Sequence, residues 1–274
     1  IVPNIIEDEI HINITKPVNF SLELNGTSED NLAVFVNPKR EKTAHTIYFG
    51  KGVTDAGIIN IDKDNTTVFL DEGAYVKGKI HAENCQNLTI CGSGIISMED
   101  VSWEVPLAQR RCIDIHNSKN VSISDIVIHD SVDWSLRTMG CEDVRISNVK
   151  VIGARGNSDG IDICGSRNVE VSDCFLRVWD DALVVKAFNT GDVRNVLFRN
   201  CVLWNDFARP IEVGVELRAE HVHQVVFSDI DVIHSTTGYP IMGIHHGDRA
   251  VVSDITFQNI RIEDAPGAQL FDIR

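Results

Sequence analysis

Four aspartates pose the chemical question. Asp159 and Asp162 stand in Asn157-Ser-Asp-Gly-Ile-Asp162, and Asp180 and Asp181 follow in Trp179-Asp-Asp-Ala-Leu-Val-Val-Lys186. Carboxyls crowded into a small volume cannot all ionise freely. One of them keeps a proton near neutral pH and can serve as general acid, while its neighbours hold and deprotonate a water. That division of labour suits hydrolysis of a glycosidic bond with inversion, for which acid and base carboxyls stand about 6.5 to 9.5 Å apart. The two pairs lie some twenty residues apart in the chain, so a repeating architecture has to bring them together.

Such a repeat is present. A phrase of one polar residue followed by alternating apolar and polar positions recurs at Asn65, Asn87, Asn120, Asp143, Asn168, Asn195, Gln224 and Asp254, at intervals of 22, 33, 23, 25, 27, 29 and 30 residues. Val, Ile or Phe occupy the inward sites, so each phrase reads as a short strand entered from a turn. Helical periodicity is absent. Irregular units of this length with several short strands predict an all-β solenoid, a parallel β-helix in which equivalent side chains stack every ~4.8 Å. Asn at the same turn of successive coils can hydrogen-bond along the stack, which accounts for the Asn-x-Ser/Thr sequons at Asn65, Asn87 and Asn120 without invoking sugar; others lie in the first 45 residues, Asn13 and Asn25 among them. Residues 1–45 fall outside the pattern. Their Pro and Asn-Gly turns and alternating runs predict a small antiparallel β cap, leaving 46–274 as the β-helix. The last phrase is followed by only a partial coil, so a further segment or a partner chain is expected over that end.

The second strand of each coil can be overlaid as Asp133-Trp-Ser-Leu-Arg-Thr, Asp159-Gly-Ile-Asp-Ile-Cys, Asp181-Ala-Leu-Val-Val-Lys, Arg209-Pro-Ile-Glu-Val-Gly and Tyr239-Pro-Ile-Met-Gly-Ile. Ile161, Ile163, Leu183, Val185, Ile211 and Val213 then fill the stack. Asp133, Asp159, Asp162, Asp180, Asp181, Lys186, Arg209 and Glu212 gather outside it as an open patch, long enough for several sugar rings. Because successive strand residues face opposite ways, Asp180 and Asp181 can act together only if the chain bends at Trp179-Asp180. Trp134 and Trp179 are the best placed of the four tryptophans to stack on a sugar. Of His245 and His246 only one can point at the cleft.

Composition narrows the partners. Forty acidic against twenty-five basic residues give a net charge of −15, which disfavours nucleic acid and anionic membrane. No apolar run is long enough for a spanning helix. The seven cysteines form no C-x-x-C pair and read as small apolar fillers; neither a metal nor a cofactor is implied.

Asn157-Ser-Asp159-Gly-Ile-Asp162 with Trp179-Asp180-Asp181 resembles the Asn-Thr-Asp-Gly and Asp-Asp motifs of the polygalacturonases and related enzymes of glycoside hydrolase family 28, a likeness covering roughly residues 46–264. The resemblance implies a right-handed parallel β-helix of the pectin-lyase-like type, with Asp180 as general acid and Asp159 with Asp181 activating the water. Asn157, Asp162, Lys186, Arg209, Glu212, Trp134 and His245 are then the expected substrate contacts. The chain departs from the family where Gly-His-Gly and Arg-Ile-Lys should fall: it reads Trp204-Asn-Asp-Phe-Ala-Arg-Pro-Ile-Glu212 and Tyr239-Pro-Ile-Met-Gly-Ile-His245-His246. Without those basic residues a neutral glycan, as in the β-helical dextranases, becomes an alternative to pectin. Two other readings stay open. In a polysaccharide lyase, Asp133, Asp159 and Asp181 would bind calcium and Arg209 or Lys186 would abstract a proton; a glycan-binding solenoid would have no turnover. The substrate class and a first residue other than Met, Ile1, predict a secreted or periplasmic protein.

Overall fold

The computed structural model describes residues 2–39 and 44–274, and the chain divides into two compact units, Ile1–Glu41 and Lys42–Arg274. The first contains two antiparallel hairpins, Asn4–Ile6 with Glu9–His11 and Val18–Glu23 with Asn31–Val36. In the second every strand pair is parallel, and each coil contributes to three ladders. One ladder begins with Ile47–Phe49, Thr67–Leu70 and Gln86–Gly92. A second includes Ile95–Ser97, Val127–His129, Lys150–Ile152 and Phe175–Val178. The third, which forms the site, runs through Ile113–His116, Leu136–Met139, Ile161–Cys164, Leu183–Phe188, Ile211–Arg218, Met242–His246 and Phe271–Ile273. This is a parallel β-helix, as the repeat predicts.

The repeated polar residue is what turns each coil. Asn65, Asn87, Asn120, Asp143, Asn168, Asn195, Gln224 and Asp254 all have φ between 53° and 57°, a left-handed conformation that Asn and Asp tolerate better than other side chains. Their amides bond from rung to rung: Asn87 Nδ2 donates to Asn65 Oδ1 at 2.8 Å, Asn120 to Asn87 at 2.7 Å and Asn195 to Asn168 at 3.0 Å. A second such ladder escaped the sequence reading. Asn148, Asn200 and Asn259 donate to Asp125, Asp173 and Asp229, again with positive φ throughout. The interior is filled by aligned aliphatic columns and a run of parallel aromatic rings, Phe198, Phe227 and Phe257, with centroids 4.7 and 5.2 Å apart. All seven cysteines are buried free thiols.

Candidate active site

The site occupies the corner where each coil enters the third ladder. Asp159 and Asp181 stand on adjacent rungs, since the Gly160 N–H donates to the Asp181 carbonyl at 2.9 Å and Ile161 pairs with Leu183. Gly160 is required by that close approach: a Cβ there would lie 2.4 Å from the Ala182 carbonyl oxygen. The strand Phe175–Val178 ends just before Trp179, and the chain bends through Trp179 and Asp180 before Leu183–Phe188 begins. The bend demanded by the sequence is therefore present. The Asp181 N–H closes it by donating to Asp180 Oδ1 at 2.9 Å.

The expected open patch is instead a buried one. Asp159, Asp162, Asp181, Lys186 and Glu212 are all buried, and only Asp180, Arg209 and Asn157 retain appreciable exposure. The cover comes from two rungs away: the Lys186 ammonium lies 3.9 Å from the centre of the Trp134 ring, which is itself buried. Beneath that ring Lys186 Nζ meets Asp159 Oδ2 at 3.0 Å and Asp162 Oδ1 at 3.5 Å. Arg209 spans the other side, 3.6 Å from both Asp181 Oδ1 and Glu212 Oε2, and its backbone N–H donates to Asp181 at 3.0 Å. His245 is fixed between Glu212 Oε1 at 2.7 Å and Asp272 Oδ2 at 3.1 Å, whereas His246 turns away to the Ala250 carbonyl. Asn157 donates its amide to Asp133 Oδ1 at 2.5 Å.

Burial with mutual repulsion keeps protons on this cluster. Desolvation raises Asp159 well above the carboxylate range, and Asp162 adds to it while Lys186 opposes it. Burial likewise lifts Asp162 to about 7 and Glu212, with repulsion from Asp181, to about 8. Asp180 and Asp181 also move upward, chiefly through desolvation. Lys186 is shifted the other way from an isolated buried amine, since Asp159, Asp162 and Asp181 outweigh its desolvation and hold it charged. The corner thus has proton donors, proton acceptors and two cations that neutralise part of the charge.

Two rungs of the overlay slip by one residue. Arg137, not Leu136, stands beside Asp162, and Met242 pairs with Ile211, so that Gly243 stands beside Glu212. The corrected register shows what sequence reasoning missed. Asp114 receives bidentate hydrogen bonds from Arg137 at 2.8 and 3.0 Å and lies 2.9 Å from His116 Nε2. His81 completes a group whose potential ligand atoms lie within 4.8 Å of one another. Burial alone would raise Asp114, but His116 and Arg137 hold it well below the usual range. The alternation His81, Asp114, Arg137, Asp162 along one column is the signal that an unslipped overlay would have revealed.

Stacked parallel coils with a largely buried carboxylate cluster at one corner define a class of protein, the parallel β-helix with clustered acidic side chains on one ladder. A profile of the family "Glycosyl hydrolases family 28" matches residues 27–268, and the chain belongs to that family. It is 32% identical over 255 residues to a polygalacturonase of Juniperus ashei, covering 90% of this chain and 44% of the relative. It is 20% identical over 227 residues to an endo-polygalacturonase of Pectobacterium carotovorum subsp. carotovorum, covering 77% of this chain and 54% of the relative. The chain therefore spans about half the length of these curated relatives. Among solved structures it shares its fold with a hyperthermoactive exopolygalacturonase of Thermotoga maritima, with a TM-score of 0.66 and 15% identity over 82% of this chain and 70% of that one. It shares it also with Dex49A of Penicillium minioluteum, with a TM-score of 0.60 and 16% identity over 89% of this chain and 60% of that one.

Proposed function

We propose that this chain hydrolyses O-glycosidic bonds of a polysaccharide or oligosaccharide with inversion, using Asp159, Asp180 and Asp181. The observation that carries the reading is the meeting of these three carboxyls at one corner, all with raised proton affinity. Asp180 is the most exposed of the three and stands at the lip. It donates its proton to the glycosidic oxygen as the bond from that oxygen to the anomeric carbon breaks. Asp159 and Asp181 take a proton from the water that attacks the anomeric carbon on the opposite face. Asp162, Lys186, Glu212 and His245 act from beneath as positioning residues, and Asn157 and Arg209 are within reach of sugar hydroxyls. Of the two candidate bases of a lyase, Lys186 is hydrogen-bonded to Asp159 and held charged, and Arg209 lies in ion-pair range of Asp181 and Glu212, which favours hydrolysis over elimination. A polysaccharide substrate is met outside the cytoplasm, and on this reading the protein works after export.

The test is a panel of polysaccharides assayed for new reducing ends, with ultraviolet absorption followed in parallel. Reducing ends without absorption, lost in Asp180→Asn, are expected. Absorbing product, or turnover that survives Asp180→Asn, would refute the assignment.

A further inference from the structure

Three aromatic side chains line the lip on the carboxy-terminal side of the aspartates, one from each of three successive corners. Trp179 precedes Asp180, Phe207 precedes Arg209 by two residues, and Tyr239 opens the next entry. Trp179 and Phe207 are stacked, with centroids 4.1 Å apart and planes 6° from parallel. Tyr239 follows at 5.6 Å from Phe207, tilted by 58°, and Arg209 packs over its ring at 5.3 Å. Hydrogen bonds tie the three corners to one another. The Ala208 N–H donates to the Trp179 carbonyl at 3.1 Å, and the Thr237 hydroxyl donates to the Phe207 carbonyl. Yet Phe207 is 37% and Tyr239 40% exposed. Ordered aromatic area held open beside a polar site is unfavourable in water unless something flat and partly apolar covers it.

We propose that Phe207 and Tyr239, backed by Trp179, form a stacking platform for an uncharged pyranose ring of the substrate, next to the ring whose bond is cleaved. The proposal rests on the hydrolase reading for its substrate and names that substrate as neutral at this position. The charge of the lip supports the choice. Arg209 stands 3.6 Å from Asp181 and from Glu212, and Arg177 pairs with Asp206 at 3.1 Å while lying 4.0 Å over Trp204. A uronate carboxylate here would add to the charge of Asp180, Asp181 and Glu212, which Arg209 offsets only in part. The C–H face of a neutral sugar meets aromatic carbon instead, and rungs ~4.8 Å apart match the length of one pyranose unit.

The experiment uses the full chain in an Asp180→Asn background, titrated by calorimetry with hexasaccharides of α-glucan, β-glucan, mannan and galactan, and with hexagalacturonate. At least one neutral hexasaccharide is expected to bind more tightly than hexagalacturonate. Phe207→Ala and Tyr239→Ala should each weaken it roughly three- to tenfold, while Tyr239→Phe retains it. Unchanged thermal midpoints show that the variants are folded. The proposal is overturned if no neutral hexasaccharide binds, if hexagalacturonate binds best, or if the folded double variant Phe207→Ala/Tyr239→Ala binds like its parent. Failure of the hydrolase reading looks different: binding would depend on Phe207 and Tyr239, but the wild-type chain would release no reducing ends from the same hexasaccharide.

Discussion

The asparagine turn and the aspartate corner use one geometry to opposite ends. In both, equivalent polar residues of successive coils are stacked rung over rung. At the turn each amide has a donor and an acceptor, so the column bonds to itself, as from Asn120 to Asn87 to Asn65. At the corner Asp159 and Asp181 stand on adjacent rungs as carboxyls, which when ionised only accept, and neither oxygen of Asp162 receives a hydrogen bond among the described residues. The same superposition that stabilises the turn therefore crowds carboxyls at the corner, where Lys186 and Arg209 offset only part of the repulsion. A solenoid can confine its reactive groups to one edge because the other edges bear the structural load.

The contrast can be broken most sharply at the corner. Asp159→Asn, Asp180→Asn and Asp181→Asn are each expected to lower turnover by roughly 10²- to 10⁴-fold in a reducing-end assay, with an intact circular dichroism spectrum. Lys186→Met strands Asp159 and Asp162 without their shared cation and should cost about 3 to 5 kcal/mol in denaturant unfolding, more than any exposed lysine. The pH dependence of stability gives a smaller effect with a definite sign. Asp162 and Glu212 bind protons more tightly folded, at about 7 and about 8, than at their ordinary values of 3.8 and 4.5. Between the ordinary values and the folded ones the native state holds the extra protons, so stability is fullest below the ordinary range and falls as pH rises through about 7 and 8. Melting followed from pH 5 to pH 9 should show that decline, and Asp162→Asn with Glu212→Gln should flatten it. At the turn the effects are smallest. Asn87→Gly should cost about 1 kcal/mol for the lost ladder bonds, and Asn87→Ala about a further 1 kcal/mol because its φ of 57° strains a Cβ.

Where register follows directly from spacing, the sequence was readable. The aliphatic pairs Ile161 with Leu183 and Leu183 with Ile211 align, and with them Asp159, Asp181 and Arg209. It failed at Asp133 and Tyr239, each one residue out, because the entries beside Trp134 and after Gly238 differ in length from their neighbours and nothing in a linear alignment marks which residue the corner absorbs. Burial of the corner was illegible for another reason. Alternation shows which side chains leave the core, but the ring that covers Lys186 belongs to an earlier coil. The second ladder, from Asp125 through Asn259, stayed hidden because Asp and Asn alternate in it, a pattern that reads as unrelated turn residues until the rungs are superposed.

The choice of expression host inherits a constraint from the amide ladder. Three sequons, at Asn65, Asn87 and Asn120, are themselves rungs of it. A eukaryotic secretory pathway meets them on the nascent chain, before any coil has wound. A glycan added then to Asn87 takes one of its two amide hydrogens while the other must still reach Asn65, and it has to emerge between neighbours only ~4.8 Å away. Material from a bacterial cytoplasm or periplasm and material from a eukaryotic secretory route will differ most in how this edge winds.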